Sequence, residues 1–383
     1  MTRYLPFNRP HLTGREFANM KAAVENLHLS GDGPFTRQCQ AWLQTQVGSA
    51  SALLTHSCTA ALEMAALLLD LRPGDEVIMP SFTFVSTANA FVLRGATPVF
   101  VDVRADTLNL DEALIEQAVT PASRAIVAVH YAGVLCEMEA ITSLTAARQL
   151  CLIEDAAQAL GSRYRGRQAG SFGNLAAVSF HETKNIVSGE GGALLVNDPR
   201  FVQRAEIIRE KGTDRSRFLK GEVDKYTWVD VGSSYLPSEL NAAFLFAQMQ
   251  EADEITRLRR EVWSWYYGRF EALERADAVR RPTVPLGCEH NAHMFYLLVR
   301  DPDTRTHVLS YLNANGVNAV FHYVPLHSSA AGSRYGRVAG SMRQTDSASG
   351  RLIRLPLWVG MTQDDVDRVA TLVERALQAR FSA

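Results

Sequence analysis

Between residues 50 and 200 the chain alternates short β-branched apolar runs with longer segments of helical periodicity. Residues 76–79, 98–101, 125–129, 151–154, 176–180 and 193–196 read as strands. Most lack apolar–polar alternation, as expected when helices cover both faces of a mainly parallel sheet. Residues 59–70, 111–119 and 138–149 read as helices between them, and Arg72-Pro-Gly-Asp75 reads as a turn. Asp111 is placed to cap a helix, with Glu112 adding charge to its first turn. The pattern is that of an α/β doubly wound sheet.

After Leu236 the texture changes. Residues 237–273 read as one long helical stretch, with apolar positions at Leu240, Phe244, Ala247, Ile255, Leu258 and Val262. Then come a link with Pro282 and Pro285, a strand over 294–299, a helix over 303–313, a strand over 317–321 and a closing helix over 362–379 capped by Thr362. At 383 residues the chain exceeds one simple core. The expected division is a large domain over 1–250, including an N-terminal arm, and a smaller α+β domain over 251–383. No repeat or low-complexity tract interrupts it.

Composition narrows the classes open to such a chain. Apolar residues make up 47% and charged residues 21%, with a net charge of −2, so no basic field favours nucleic acid or an anionic membrane. The most apolar long stretch, 60–71, contains Glu63 and Asp70 and is too short to span a bilayer. The first ten residues show no apolar core of a secretory signal. Cys39, Cys58, Cys136, Cys151 and Cys288 are scattered and odd in number, which fits reduced thiols in the cytoplasm better than a disulfide frame. No metal site is expected: His322 and His327 lie five apart around a proline, off any shared helix face. There is no G-x-S-x-G elbow, Walker loop or G-x-G-x-x-G after the first strand.

The chemistry concentrates elsewhere. Lys184 follows the apolar run 176–180, with Ser179 five positions before it and the turn Ser188-Gly-Glu-Gly-Gly192 after it. Asp155 ends the strand 151–154, where open α/β sheets place their ligand crevice, and Gln158 lies one turn on. Thr55-His-Ser-Cys-Thr-Ala60 is a hydroxyl-rich turn into a helix, suited to a phosphate. Pro80-Ser-Phe-Thr-Phe-Val-Ser86 offers Phe82 and Phe84 as flat partners for a ring. Taken singly, each has an ordinary structural reading: a surface lysine, helix caps, a solvated glutamine, core aromatics. Together and in this order they fit pyridoxal phosphate, with Lys184 forming the Schiff base and Asp155 keeping the pyridine nitrogen protonated.

The runs S-F-H-E-T-K-N (179–185), E-D-A-A-Q (154–158), S-C-T-A (57–60), P-S-F-T-F-V-S-T-A-N (80–89) and G-E-G-G (189–192) resemble the DegT/DnrJ/EryC1/StrS sugar aminotransferases, which are fold-type-I pyridoxal phosphate enzymes. The resemblance extends from Pro6-Phe-Asn8 to Arg354-Leu-Pro-Leu357. Segments 205–213, 223–228, 232–236, 291–296 and 320–327 narrow it to the branch that makes dTDP-4-amino-4,6-dideoxygalactose for surface polysaccharide, the enterobacterial common antigen.

The resemblance implies that Lys184 carries the cofactor, Asp155 partners the pyridine nitrogen and Gln158 contacts the ring hydroxyl. Thr59 and Ser179 bind the phosphate, with the Cys58 backbone beside them, and Phe84 rather than Phe82 stacks on the ring. Ser234, in Gly232-Ser-Ser-Tyr235, stands where many members carry an asparagine that reaches the neighbouring subunit's phosphate. A homodimer with shared active sites is implied.

So is a ping-pong reaction. L-Glutamate yields 2-oxoglutarate and pyridoxamine phosphate, which then aminates C4 of dTDP-4-keto-6-deoxy-D-glucose. Lys184 moves the proton in both halves. Arg209, Lys211, Lys220, Lys225 and Tyr226 form a basic and aromatic segment suited to the nucleotide diphosphate, and His322 and His327 are candidate sugar contacts. Three other readings remain: the gluco epimer of the product; sugar 3-dehydration, which replaces the lysine by histidine; and a non-catalytic regulatory module.

Overall fold

The computed structural model describes residues 3–381. Strands β1 (Ser51–Thr55), β2 (Glu76–Pro80), β3 (Thr97–Val101), β4 (Ser123–Val129), β5 (Cys151–Asp155), β6 (Leu175–Ser179) and β7 (Gly192–Val196) form one sheet. Their spatial order is β1-β7-β6-β5-β4-β2-β3, with the short strand Arg337–Val338 beside β3. β7 runs antiparallel to β1 and β6, and the other pairings are parallel.

Both faces of this sheet are buried, which is why its strands read as continuous apolar runs. Leu53, Val77, Val127, Ile153, Ala177 and Leu194 point into the layer of helix Cys58–Leu68. Their neighbours Leu54, Ile78, Ile126, Leu152, Val178 and Leu195 point into the opposite layer. At β5 this alternation separates two carboxylates. Asp155 emerges beside helix Cys58–Leu68, whereas Glu154 is fully buried behind the sheet. There Glu154 accepts from the amides of Gly170 (2.8 Å), Phe172 (2.6 Å) and Gly173 (2.7 Å), and His130 Nε2 lies 2.9 Å away.

A second core forms in the C-terminal part. Strands Val279–Arg280, Phe295–Val299 and Leu352–Leu355 make an antiparallel sheet. Helices Ala252–Arg269, Pro302–Ala314 and Gln363–Phe381 bury Tyr266, Leu312 and Val373 against Phe295, Leu297 and Ile353. Leu5, fully buried, joins this cluster: its amide donates to Gly316 O (2.9 Å) and its carbonyl accepts from Asn318 (3.0 Å). Trp358 Nε1 donates to Pro6 O.

Several expectations are corrected. The stretch over 237–273 is not one helix but Glu239–Gln250, Ala252–Arg269 and Glu271–Arg275. The first break falls at Glu251, where two apolar faces part: Ala242, Leu245 and Met249 pack towards Phe35 and Leu43, whereas Val262 and Tyr266 pack in the C-terminal core. Residues 317–321 form no strand. Val317 bridges Leu5 and Val320 bridges Arg354, so the two ends pair with different partners and no ladder builds. Both caps form: Asp111 accepts from Ala113 N and Thr362 accepts from Asp365 N. The helix after Asp111 is shorter than its pattern suggests, Glu112–Ile115 followed by one 3-10 turn. Helices Glu16–Glu25, Pro34–Val47 and Val85–Val92 and strand β1 add to the expected elements.

The five cysteines are unpaired. Among the described residues no helix is long and apolar enough to cross a membrane, and no cluster of three metal-ligating side chains occurs.

Candidate active site

The carboxyl ends of β1, β2, β4, β5 and β6 face one crevice, the position in which open α/β sheets bind ligands. It holds a cavity of about 690 Å³, lined by residues from Phe7 to Arg354.

Helix Cys58–Leu68 starts at one end of this cavity. Ser57 caps it in an extended conformation, its Oγ accepting from Ala60 N (3.1 Å). A side chain at Gly192 would put its Cβ 2.4 Å from Cys58 N, so only glycine lets β7 pass so close to the helix start. Thr59 Oγ1 lies 2.8 Å from Ser86 Oγ, and Ser179 stands at the end of β6 on the cavity wall. Backbone N–H groups at a helix start with hydroxyls around them suit a phosphate.

Asp155 ends β5, buried to 6% exposure. Its Oδ2 accepts from Thr87 Oγ1 (2.7 Å) and its Oδ1 from Ala157 N (3.2 Å). Because Thr87 gives its one hydroxyl hydrogen to the carboxylate, Thr83 Oγ1, 2.8 Å away, donates to Thr87. Gln158 is also fixed: Oε1 accepts from Ala132 N (2.7 Å) and Nε2 donates to Tyr323 OH (2.9 Å).

Lys184 lies in the turn after β6, its side chain on the cavity wall. Burial pulls its ammonium below the ordinary lysine range, Arg354 adds to that, and the charges of Cys58 and Asp155 oppose it. The Cys58 thiol is driven well above its usual range, by burial first and then by Asp155. Phe84 and Phe82 separate cleanly. Phe84 is 58% exposed and lines the cavity, whereas Phe82 is sealed in an aromatic knot with Tyr131 (5.1 Å between ring centres) and Tyr323 (5.7 Å).

The structure thus brings Lys184, Asp155, Gln158, Ser179, Thr59, Cys58, Phe84 and His322 to one cavity. His322 Nδ1 is 3.0 Å from Tyr131 OH, and burial holds its imidazole well below the usual histidine range. The remaining candidates lie off this cavity. Arg209 grips Asp32 (2.7 and 2.9 Å) and Gln40 (2.7 Å). Lys211 pairs with Glu210 and Lys220 with Glu206. Lys225 and Tyr226 are exposed, with Tyr226 against Phe218. Ser234 is an exposed bridge partner of Glu210. His327 sits between Ser81 (2.8 Å) and Asp346 (3.3 Å).

The sequence reading passed over Thr87 carried a signal, a hydroxyl one helical turn after Thr83 beside a strand end. The other three come from the C-terminal half and have no local mark.

The doubly wound sheet, its crevice and the second smaller core are those of a fold-type-I pyridoxal phosphate-dependent aminotransferase. The profile of the DegT/DnrJ/EryC1/StrS aminotransferase family matches residues 10–374. GDP-perosamine synthase of Caulobacter vibrioides is 32% identical over 373 residues, covering 96% of this chain and 97% of that protein. The crystal structure of the aminotransferase TlmJ from Streptoalloteichus hindustanus superposes with a TM-score of 0.90 at 29% identity, over 99% of this chain and 100% of that one. DesV of S. venezuelae, in complex with a ketimine intermediate, gives 0.89 at 28% identity, over 98% and 99%. The chain belongs to the DegT/DnrJ/EryC1/StrS aminotransferase family.

Proposed function

We propose that this sugar aminotransferase moves the amino group of L-glutamate to C4 of dTDP-4-keto-6-deoxy-D-glucose. The products are dTDP-4-amino-4,6-dideoxy-D-galactose, for surface polysaccharide such as enterobacterial common antigen, and 2-oxoglutarate. The observation that carries the reading is one cavity with a lysine and a buried carboxylate at neighbouring strand ends, and hydroxyls around a helix start. The relative GDP-perosamine synthase, named for a nucleotide-linked amino sugar, supports the substrate class.

The residues present fit pyridoxal phosphate: the cavity has an anion-holding end, a carboxylate shielded from solvent and an amine kept below its ordinary basicity. That cofactor supplies an electron sink that lets the C–H bond beside the donor nitrogen ionise. Lys184 takes that proton and returns it on the same face, as base and then acid. Asp155, held by Thr87 and the Ala157 amide, maintains positive charge at the pyridine nitrogen. Thr59, Ser179 and the Cys58 amide hold the phosphate, Phe84 covers the ring, and Gln158 meets the ring hydroxyl. His322 faces the sugar.

The same reading includes a cytoplasmic homodimer. Leu27 (92% exposed), Trp228 (79%) and Leu219 (66%) are apolar surface that a second copy would cover. Ser234 with Lys225 and Tyr226 would then serve the neighbouring cavity. The two cores support a division at residue 250, with Leu5 of the N-terminal arm docked on the second.

Purified protein supplied with L-glutamate and dTDP-4-keto-6-deoxy-D-glucose should release 2-oxoglutarate, and ring couplings in the product's NMR spectrum should show the galacto configuration. Lys184→Ala should lose both the visible absorption of the bound cofactor and turnover. Turnover that survives this substitution sinks the assignment. Use of a GDP-linked keto sugar in place of the dTDP-linked one overturns the nucleotide.

A further inference from the structure

Arg354 stands out among the buried arginines because no acid answers it. Arg209 has Asp32 and Arg337 has Glu76, and Arg259 donates to the carbonyls of Ala292 and His293. Arg354 forms no ion pair among the described residues and its Nε is buried without a hydrogen-bond partner. Its guanidinium lies over the Phe7 ring at 4.5 Å, on the wall of the cavity that holds Lys184. The backbone fixes its origin: Arg354 sits on strand Leu352–Leu355, paired with Tyr296, and exchanges two hydrogen bonds with Val320.

The groups around it are neutral or positive. Burial keeps Tyr131 and Tyr323 protonated and His293 and His322 unprotonated, and Lys184 is the nearest other basic group on the wall. The cavity's two acids are engaged elsewhere, Asp155 with Thr87 and Ala157, and Glu190 beside His181. A cation withdrawn from water without a partner is costly, so such a site calls for an anion from outside.

We infer that Arg354 is the receptor for the α-carboxylate of the amino donor, holding it in a two-point guanidinium–carboxylate pair. This deepens the proposed function and rests on it. The cofactor's own anion already has its place at Ser57–Thr59 and Ser179, leaving the donor carboxylate as the charge to be met near Lys184. Such a pair orients the donor so that its Cα hydrogen faces Lys184.

The test uses the cofactor-loaded protein. Maleate, a dicarboxylate with no amine to transfer, should perturb the visible band on binding, and Arg354→Gln should weaken it on the order of 100-fold. In single turnover the same variant should raise the glutamate concentration needed for half-maximal rate by a similar factor. It should leave n-butylamine, which has no carboxylate, reacting as in the wild type. Arg354→Lys, which keeps the charge but loses the two-point fit, should fall between. An equal loss for butylamine and glutamate overturns the inference. So does unchanged maleate binding, or a defect confined to the sugar nucleotide, which would assign Arg354 to the diphosphate. Wild-type failure to convert L-glutamate would instead strike the proposed function.

Discussion

Replacing Glu154 by glutamine changes one atom, and the structure says what that costs. Glu154 Oε1 accepts from Phe172 N and Gly173 N, and Oε2 accepts from Gly170 N. His130 Nδ1 accepts from Cys136 N (3.3 Å), so its Nε2 carries the hydrogen and donates to Oε2. A glutamine that keeps its oxygen on Phe172 and Gly173 turns an NH₂ group towards two donors, Gly170 N–H and His130 Nε2–H. The flipped amide abandons Phe172 and Gly173 instead. Switching the His130 tautomer relieves Nε2 but orphans the Cys136 amide. Each buried donor left without an acceptor costs roughly 1–3 kcal/mol, so two cost about 3 kcal/mol even at the lower end of the range with some relaxation. That is about a hundredfold in a local opening equilibrium. Hydrogen exchange of Gly170, Phe172 and Gly173, followed by mass spectrometry of peptides spanning them, should accelerate about a hundredfold in Glu154→Gln. Helix Gln363–Phe381, which is remote, should exchange as before. Rates in 170–173 within about threefold of the wild type would refute the donor count.

Two further outcomes follow from the site. Gly192→Ala places a methyl against the Cys58 amide and should push the helix start away from β7. It should weaken cofactor binding by about tenfold, measured by equilibrium titration of the apoprotein, with little change in secondary structure by circular dichroism. The second concerns pH. Between the depressed Lys184 value and the ordinary 10.5, the unfolded chain holds a proton that the folded one has released. Lys184 therefore makes the apoprotein more stable as pH rises through that window. Cofactor capture needs the free amine, so its rate should rise with a midpoint below 10.5. Asp155→Asn should move that midpoint down and Arg354→Gln should move it up, because the two charges act on Lys184 in opposite senses. Midpoints moving together would break the electrostatic account.

Strands flanked by turn residues were legible because burial on both faces leaves a short apolar run with sharp ends, as in β4 and β5. So were the residues that follow such strands directly, Asp155 and Lys184. Helix Pro34–Val47 was not, although Gly33 and Pro34 mark its start, because its apolar positions are diluted by glutamines. The break at Glu251 was hidden because helix propensity is local, whereas the packing that bends the chain there depends on two separate cores. Tyr323 and Arg354 escaped for a related reason. Their roles are set by a cavity whose other wall is made far away in the chain, and no spacing rule reaches across that gap. The basic segment from Arg209 to Lys225 read as a ligand surface from its charge. Charge alone does not tell a free cation from one already gripped, as Arg209 is by Asp32.

The cavity wall runs from Phe7 to Arg354, with Leu5 fastened between Gly316 and Asn318. During synthesis, then, Lys184 emerges long before the pocket that lowers its basicity exists. At roughly 5–20 residues per second, the stretch from Lys184 to Arg354 takes on the order of ten to thirty seconds to appear. Through that interval the lysine is an ordinary solvated amine, and the helix start at Ser57 has no opposite wall. Cofactor capture is thus a late event in the life of the chain, and a ribosome stalled before residue 354 holds a nearly complete sheet with an incomplete site.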